Sequence, residues 1–318
     1  ATGDLTGYYT LMNDIDASET ATWNDEGTDT YTLEGFLPIG KNPSSSVTDT
    51  VSFRGVFNGN GKKITGLTIK REWNEENVGL FGRVNSGGEI RNLTLEGGTV
   101  AGYKYTGGVV GTVYDGLIRN CSVNMAVTGR NNNTGGLVGY NLSGLIEDCH
   151  ATGGVTGKGS SSQTGVGGLV GYNSSGSIIR CSAGGTVIIV QDGSARAGGL
   201  VGGSDYGLVS NCFSNASVSV GQVIGGLIGF NGSSNIVENC RTAGVVTGRS
   251  WSGAEAGGLA AINYGAITRC FATGVVTGRD RVGGLVGYNS GQITDCFVNG
   301  PVKGNLSARQ EYGARENG

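Results

Sequence analysis

Seven cysteines, one histidine and scattered carboxylates are the residues of this 318-residue chain whose types could do chemistry. Cys121, Cys149, Cys181, Cys212, Cys240, Cys270 and Cys296 are enough in number for a metal centre or a disulfide framework. Their spacing speaks against both. They lie 26 to 32 residues apart, and no Cys-x-x-Cys pair is present to start a zinc site, so no metal and no cofactor is expected. Buried, reduced thiols acting as small apolar side chains fit the spacing better. His150 is the only histidine, and no Gly-x-Ser-x-Gly elbow or phosphate-binding loop accompanies it, so catalytic residues stay unassigned. Glu147 and Asp148 are adjacent and would diverge on an extended strand, whereas an acid and base must flank one bond. Asp4, Asp14, Asp16 and Asp25 offer oxygen ligands for calcium but lack EF-hand spacing, which reads as an acidic, solvated cap.

The elements that carry these residues follow from an internal repeat. A Gly-Gly-Leu-Val-Gly anchor, degenerate in its first and seventh copies, starts at Val78, Gly107, Gly135, Gly167, Gly198, Gly225, Gly257 and Gly283. An Ile or Val three residues before each Cys forms a second fixed point, with Ile90 and Leu93 in the first copy, so the cysteines occupy one position of one repeat. From Cys onward the residues alternate, as in Cys149, Ala151, Gly153 and Val155, and period two means strand with that small, apolar set facing inward. One such unit cannot close a core, but stacked units can. The fold expected is therefore all-β: a right-handed parallel β-helix, a solenoid of about ten coils. Residues 78–304 form its eight repeats, residues 1–77 an N-terminal cap with irregular first coils, and residues 305–318 a polar tail or linker.

Other columns are expected to be structural. Five residues before each Cys stands Gly, as at Gly144, or once Asn235, which suggests a tight turn at positive φ. Asn141, Asn173, Asn231, Asn263 and Asn289 follow the anchor as a stacked amide ladder. Tyr140, Tyr172, Phe230 and Tyr288 precede them as an aromatic row interrupted at Gly203 and Ile262.

Composition narrows the function classes. With 22 basic and 25 acidic residues the formal charge is −3, without the basic excess of a nucleic-acid binder, so no nucleic acid is expected as a partner. No apolar run approaches a membrane span. The 63 glycines accompany plentiful Val, Ile, Leu and Ala, so the chain can bury a core. Starting at Ala1 without a signal-like stretch, it fits a mature or excised segment. Length variation concentrates between one repeat's end and the next anchor, and such a flank is often a solenoid's binding face. That flank carries Tyr103, Lys104, Tyr105, Arg130, Lys158, Arg196, Arg249, Trp251, Arg279 and Arg281, a partly aromatic, basic set suited to an acidic glycan.

The repeat GGLVGYNxSGxIxxCxATGxVTG, at Gly135 to Gly157 and Gly283 to Gly304, resembles the GLUG repeat of large bacterial surface proteins. The segments Tyr-Thr-Leu-Met-Asn-Asp-Ile-Asp, Pro-Ile-Gly and Phe-x-Gly-x-Phe-x-Gly-Asn-Gly are similar to what often precedes such repeats. The resemblance implies export to a cell surface and a place in adhesin-like proteins, including non-catalytic parts of immunoglobulin-cleaving metallopeptidases, whose His-Glu-x-x-His motif this chain lacks. The expected function is a secreted or surface module that binds glycan or a cell-surface protein through the loop flank, with further domains of a larger polypeptide as possible partners. A β-helical polysaccharide lyase or hydrolase is the alternative, and a passive stalk the second.

Overall fold

The computed structural model describes residues 5–24, 33–40, 51–159, 161–190, 194–249 and 253–304. Among them the structure is all-β, with one 3₁₀ turn at Ser18–Thr22 and no helix long and apolar enough to cross a membrane. One coil shows the plan. Strands Thr134–Gly135, Val138–Leu142, Leu145–Glu147, His150–Ala151 and Val155–Gly157 each pair in parallel with their equivalents in the next coil: Thr134 with Val166, Val138 with Val170, Ile146 with Ile178, Ala151 with Ala183 and Val155 with Val187. The face carrying the Ile column contains ten strands, from Tyr8–Thr10 to Gln292–Thr294; the anchor face contains eight, from Phe81–Val84 to Val286–Asn289. The parallel β-solenoid expected from the repeat is what forms. The described N-terminal residues depart from it once, where Leu33–Gly35 runs antiparallel to Ile69–Arg71.

The core follows the periodicity. Leu137, Val138, Ile146, Cys149 and Ala151, with their equivalents, fill one continuous apolar column, and a second lobe holds Val155, Val166, Val187, Ile189 and Ala197. All seven cysteines are free thiols; six are buried and Cys296, on the last coil, is half-buried. Burial pushes the Cys149 thiol well above its ordinary value, so it is neutral at physiological pH. Its Sγ meets the Glu147 carbonyl at 3.2 Å and accepts no disulfide partner from the coil above, whose Cys181 Sγ instead faces the Cys149 N–H at 3.4 Å.

The turn reading at Gly144 is corrected. Gly144 does not have positive φ; the left-handed residue is its predecessor, Ser143, at +60°, with Asp115, Ser175 and Tyr206 in the same place on other coils. Gly144 is required for space, because a Cβ there would come within 2.5 Å of both Asn141 Oδ1 and Val113 Cγ1. Asn235 is tolerated in that column for a third reason: its amide joins the internal hydrogen-bond ladder rather than adopting a left-handed backbone.

Sequence reasoning missed a more regular left-handed column. Asn92, Asn120, Asp148, Arg180, Asn211, Asn239, Arg269 and Asp295, each immediately before the Cys position, have φ between +49° and +56°. Asn and Asp hold six of these eight places, as their local side-chain hydrogen bonding favours, and the bend turns the chain so that Cys points inward.

Candidate functional site

The coil register gathers most of the loop-flank residues at one position. Arg130 and Lys158 follow Gly129 and Gly157, which pair with each other, and Gly129 pairs with Gly102, the residue before Tyr103. Tyr103, Arg130 and Lys158 therefore occupy successive rungs. Arg249 and Arg279 recur at the equivalent place, two residues beyond the paired Thr247 and Thr277. Each side chain is half-buried. Arg130 reaches Glu72 at 2.7 Å, Asn131 donates to the Tyr103 hydroxyl at 3.2 Å, Arg249 Nε donates to the Val220 carbonyl at 3.1 Å, and Arg279 lies 3.7 Å from Asp280. Trp251 lies outside the described residues.

Tyr105 and Arg196 belong elsewhere. Tyr105 stacks on Tyr140 with ring centroids 5.4 Å apart, and Tyr140 meets Tyr172 at 6.2 Å. The interruption at Gly203 is closed by Arg196, whose guanidinium lies 3.5 Å from the Phe230 ring centroid; a Cβ on Gly203 would meet the Tyr172 ring at 2.8 Å. The interruption at Ile262 is closed by Tyr264, which contacts Phe230 at 5.7 Å and Tyr288 at 5.9 Å. This is an aromatic ladder with two guanidiniums against it, Arg196 on Phe230 and Arg281 at 4.9 Å from the Tyr288 ring centroid, so its rings are engaged by neighbouring rungs. Arg196 is desolvated there, against the Phe230 ring.

The asparagine column is internal. Asn141 Nδ2 donates to Asn173 Oδ1 at 2.7 Å, Asn173 Nδ2 to Ser204 Oγ at 2.9 Å, and Ser204 Oγ to Asn235 Oδ1 at 2.7 Å. Asn235 continues to Asn231, Asn231 to Asn263 and Asn263 to Asn289, at 2.6, 2.6 and 2.7 Å. Five of these six donors reach the next coil toward the C-terminal end; Asn235 instead donates back to Asn231 within its own coil. Asn141, Asn173, Ser204, Asn231 and Asn263 are fully buried, and the ladder satisfies their polar atoms except Asn141 Oδ1, which is left without a hydrogen bond; none of the five is offered to solvent.

Carboxylates and the histidine form other pairings. Asp148 and Glu147 share Arg180: its Nε and Nη2 lie 2.7 and 2.8 Å from the two Asp148 oxygens, and Nη2 lies 2.9 Å from Glu147. The Arg180 hydrogen bonds hold the Asp148 carboxyl below its usual range. Burial raises the Glu255 carboxyl, which is ion-paired with Arg281. His150 Nδ1 lies 2.9 Å from Ser182 Oγ, its register partner on the next coil, both following the cysteine column. Asp148, the nearby carboxylate, is engaged by Arg180 rather than by the imidazole. Asp14 and Asp16 accept backbone N–H groups from Lys63 and Ser18 and do not converge; Asp4 and Asp25 lie outside the described residues, among which no cluster of three metal-ligating side chains forms.

Comparison with known proteins places the repeat. Residues 102–128, 130–156, 162–188 and 278–303 match the family model of the GLUG motif. Over 104 residues the chain is 36% identical to halomucin of Haloquadratum walsbyi, a match covering 32% of this chain and about 1% of that protein's length. A candidate immunoglobulin A1 protease from Bacteroides ovatus shares the fold with a TM-score of 0.58 at 19% identity, over 80% of this chain and 78% of its own. An IgA1 protease structure superimposes with a TM-score of 0.55 at 18% identity, over 92% of this chain and 20% of its own.

Proposed function

We propose that this chain, a protein built from GLUG-motif repeats, is a secreted or cell-surface adhesin-like module that binds glycan or a surface protein along the loop flank of its solenoid. The observation that carries the reading is the placement of Tyr103, Arg130 and Lys158 on successive rungs, with Arg249 and Arg279 repeating the position further along. Rungs are about 4.8 Å apart, so a polymer laid along the axis meets Tyr103, Arg130 and Lys158 at successive steps and, after the rungs of Val190 and Gly221, Arg249 and Arg279. Half-buried Arg and Lys supply charge-assisted donors, which suits an acidic glycan or an acidic protein segment. Halomucin and the two immunoglobulin A1 protease structures support an extracellular setting, since immunoglobulin A is itself secreted.

The test is binding of the purified chain to host mucin, bacterial and plant glycans, compared with an Arg130→Ala/Lys158→Ala variant. Saturable binding weakened at least about tenfold in the variant is expected, a difference of about 1.4 kcal/mol. Equal binding by both proteins removes the loop flank as the site. Failure to bind any member favours the stalk reading, which the unbroken amide ladder from Asn141 to Asn289 also suits. The polysaccharide-degrading reading has less support: Asp148 is held as a carboxylate by Arg180 and Glu255 is buried against Arg281, so neither is poised as a general acid facing an open groove.

A further inference from the structure

The strongest unassigned feature is an open depression of about 280 Å³ on the outer corner of the solenoid, just before the cysteine column. It sits at a different coil position from the loop flank and spans the rungs of Asn58, Arg91, Arg119 and Glu147. Its shape comes from a charge arrangement. Arg119 and Glu147 are register partners on adjacent strands, where opposite charges would ordinarily pair. They turn apart instead. Arg119 donates from Nε to Glu89 at 2.7 Å, on the N-terminal side, and Glu147 accepts from Arg180 at 2.9 Å, on the C-terminal side.

Two unlike walls result. Arg91 also bonds Glu89, at 3.1 Å, so two guanidiniums share one carboxylate and the N-terminal wall carries excess positive charge. Among the described residues Glu147 and Asp148 share one guanidinium, Arg180, so the opposite wall carries excess negative charge. Between them runs a floor of amides, Asn120 donating to Asn92 at 2.7 Å and Asn92 to Asn58 at 2.9 Å. The left-handed backbone at Asn92, Asn120 and Asp148 is what turns these groups outward together.

The geometry points to a saccharide subsite: the corner binds an uncharged sugar residue whose vicinal hydroxyls bridge the two walls. A hydroxyl both donates and accepts, so one can accept from Arg119 while its neighbour donates to Glu147 or Asp148. A simple anion would meet repulsion from the carboxylate wall, and a simple cation from the guanidinium wall. Neither is balanced as a diol is. The subsite goes beyond the loop-flank reading and does not depend on it, since its residues are different.

The experiment is an amide NMR titration of the full chain with methyl glycosides of glucose, galactose and mannose, and in parallel with sulfate and glycine. Expected are saturable shifts at the Asn92, Asn120 and Asp148 amides with at least one glycoside, and none with sulfate, a simple anion, or with glycine, a zwitterion that could bridge the two walls by charge. Arg119→Met and the near-isosteric Glu147→Gln should each weaken that binding by about tenfold or more, with the melting temperature unchanged, while Lys158→Ala leaves it intact. If no glycoside shifts these amides, if the shifts map elsewhere, or if sulfate or glycine binds there instead, the proposal is overturned. Loss of polymer binding in the loop-flank variant with an intact corner response would separate the fate of the two sites.

Discussion

The inward columns and the outward columns of the same coils obey different rules. Inside, Leu137, Ile146, Cys149 and Asn173 have near-identical counterparts on most rungs, and each is satisfied by the copy above or below. Outside, the residue type changes from rung to rung: Arg91, Arg119, Glu147 and Ile179 succeed one another in one column, Tyr103, Arg130 and Lys158 in another. The difference teaches where to look for recognition. Repetition inside holds the coils in register, and variation outside makes each stretch of surface chemically distinct.

That contrast can be broken most forcefully at the core. Leu137→Ala should lower unfolding free energy by about 2 to 5 kcal/mol in chemical denaturation, since the side chain is fully buried; a cost near zero would mean the anchor leucines are not core. Asn173→Ala cuts the amide ladder and strips Asn141 and Ser204 of a partner, for an expected loss of about 1 to 3 kcal/mol by the same measurement. Its failure to destabilise would show the ladder to be dispensable.

Smaller effects sharpen the assignment of the turn. Gly144→Ala forces a Cβ against Asn141 and Val113 and should cost about 1 to 3 kcal/mol, whereas Ser143→Gly relieves a left-handed serine and should hold or raise stability by up to about 1 kcal/mol. The reverse ranking of melting temperatures would restore positive φ to the glycine. At the outer corner the effect is smaller again. Arg180 depresses the Asp148 carboxyl, so the folded state releases this proton more readily than the unfolded chain does. The stabilisation is present above the ordinary carboxylate range and is lost as pH falls through the depressed folded value. With both side chains about half exposed, solvent screening holds it to about 1 kcal/mol or less. Denaturation from pH 7 to acid should show a shallower decline in Asp148→Asn than in the parent, and parallel curves would remove the ion pair from the stability account.

Period-two alternation and one cysteine per repeat made the strands, the parallel stacking and the inward thiols legible in the sequence, because those depend on local pattern. The amide ladder was legible for the same reason. The turn was misplaced by one residue because glycine serves two needs: Gly144 supplies space, while Ser143 takes the left-handed conformation that glycine more often marks. Gaps at Gly203 and Ile262 could not be seen as filled, since Arg196 and Tyr264 reach the aromatic row from other positions of their coils. The outer corner was invisible as a unit: Arg119, Glu147 and Arg180 are about a coil apart in sequence, and which neighbour each charge selects depends on side-chain direction. The Asn and Asp enrichment before each Cys was the signal that would have led to it.

The central claim, that the interior holds the fold and the varying exterior recognises, is tested most directly by measuring stability and glycan binding together in Asn173→Ala and Lys158→Ala. The account predicts a crossover: Asn173→Ala unfolds at lower denaturant yet keeps its affinity where folded, and Lys158→Ala keeps the parent's stability while losing affinity. An Asn173→Ala protein of unchanged stability that no longer binds would contradict it.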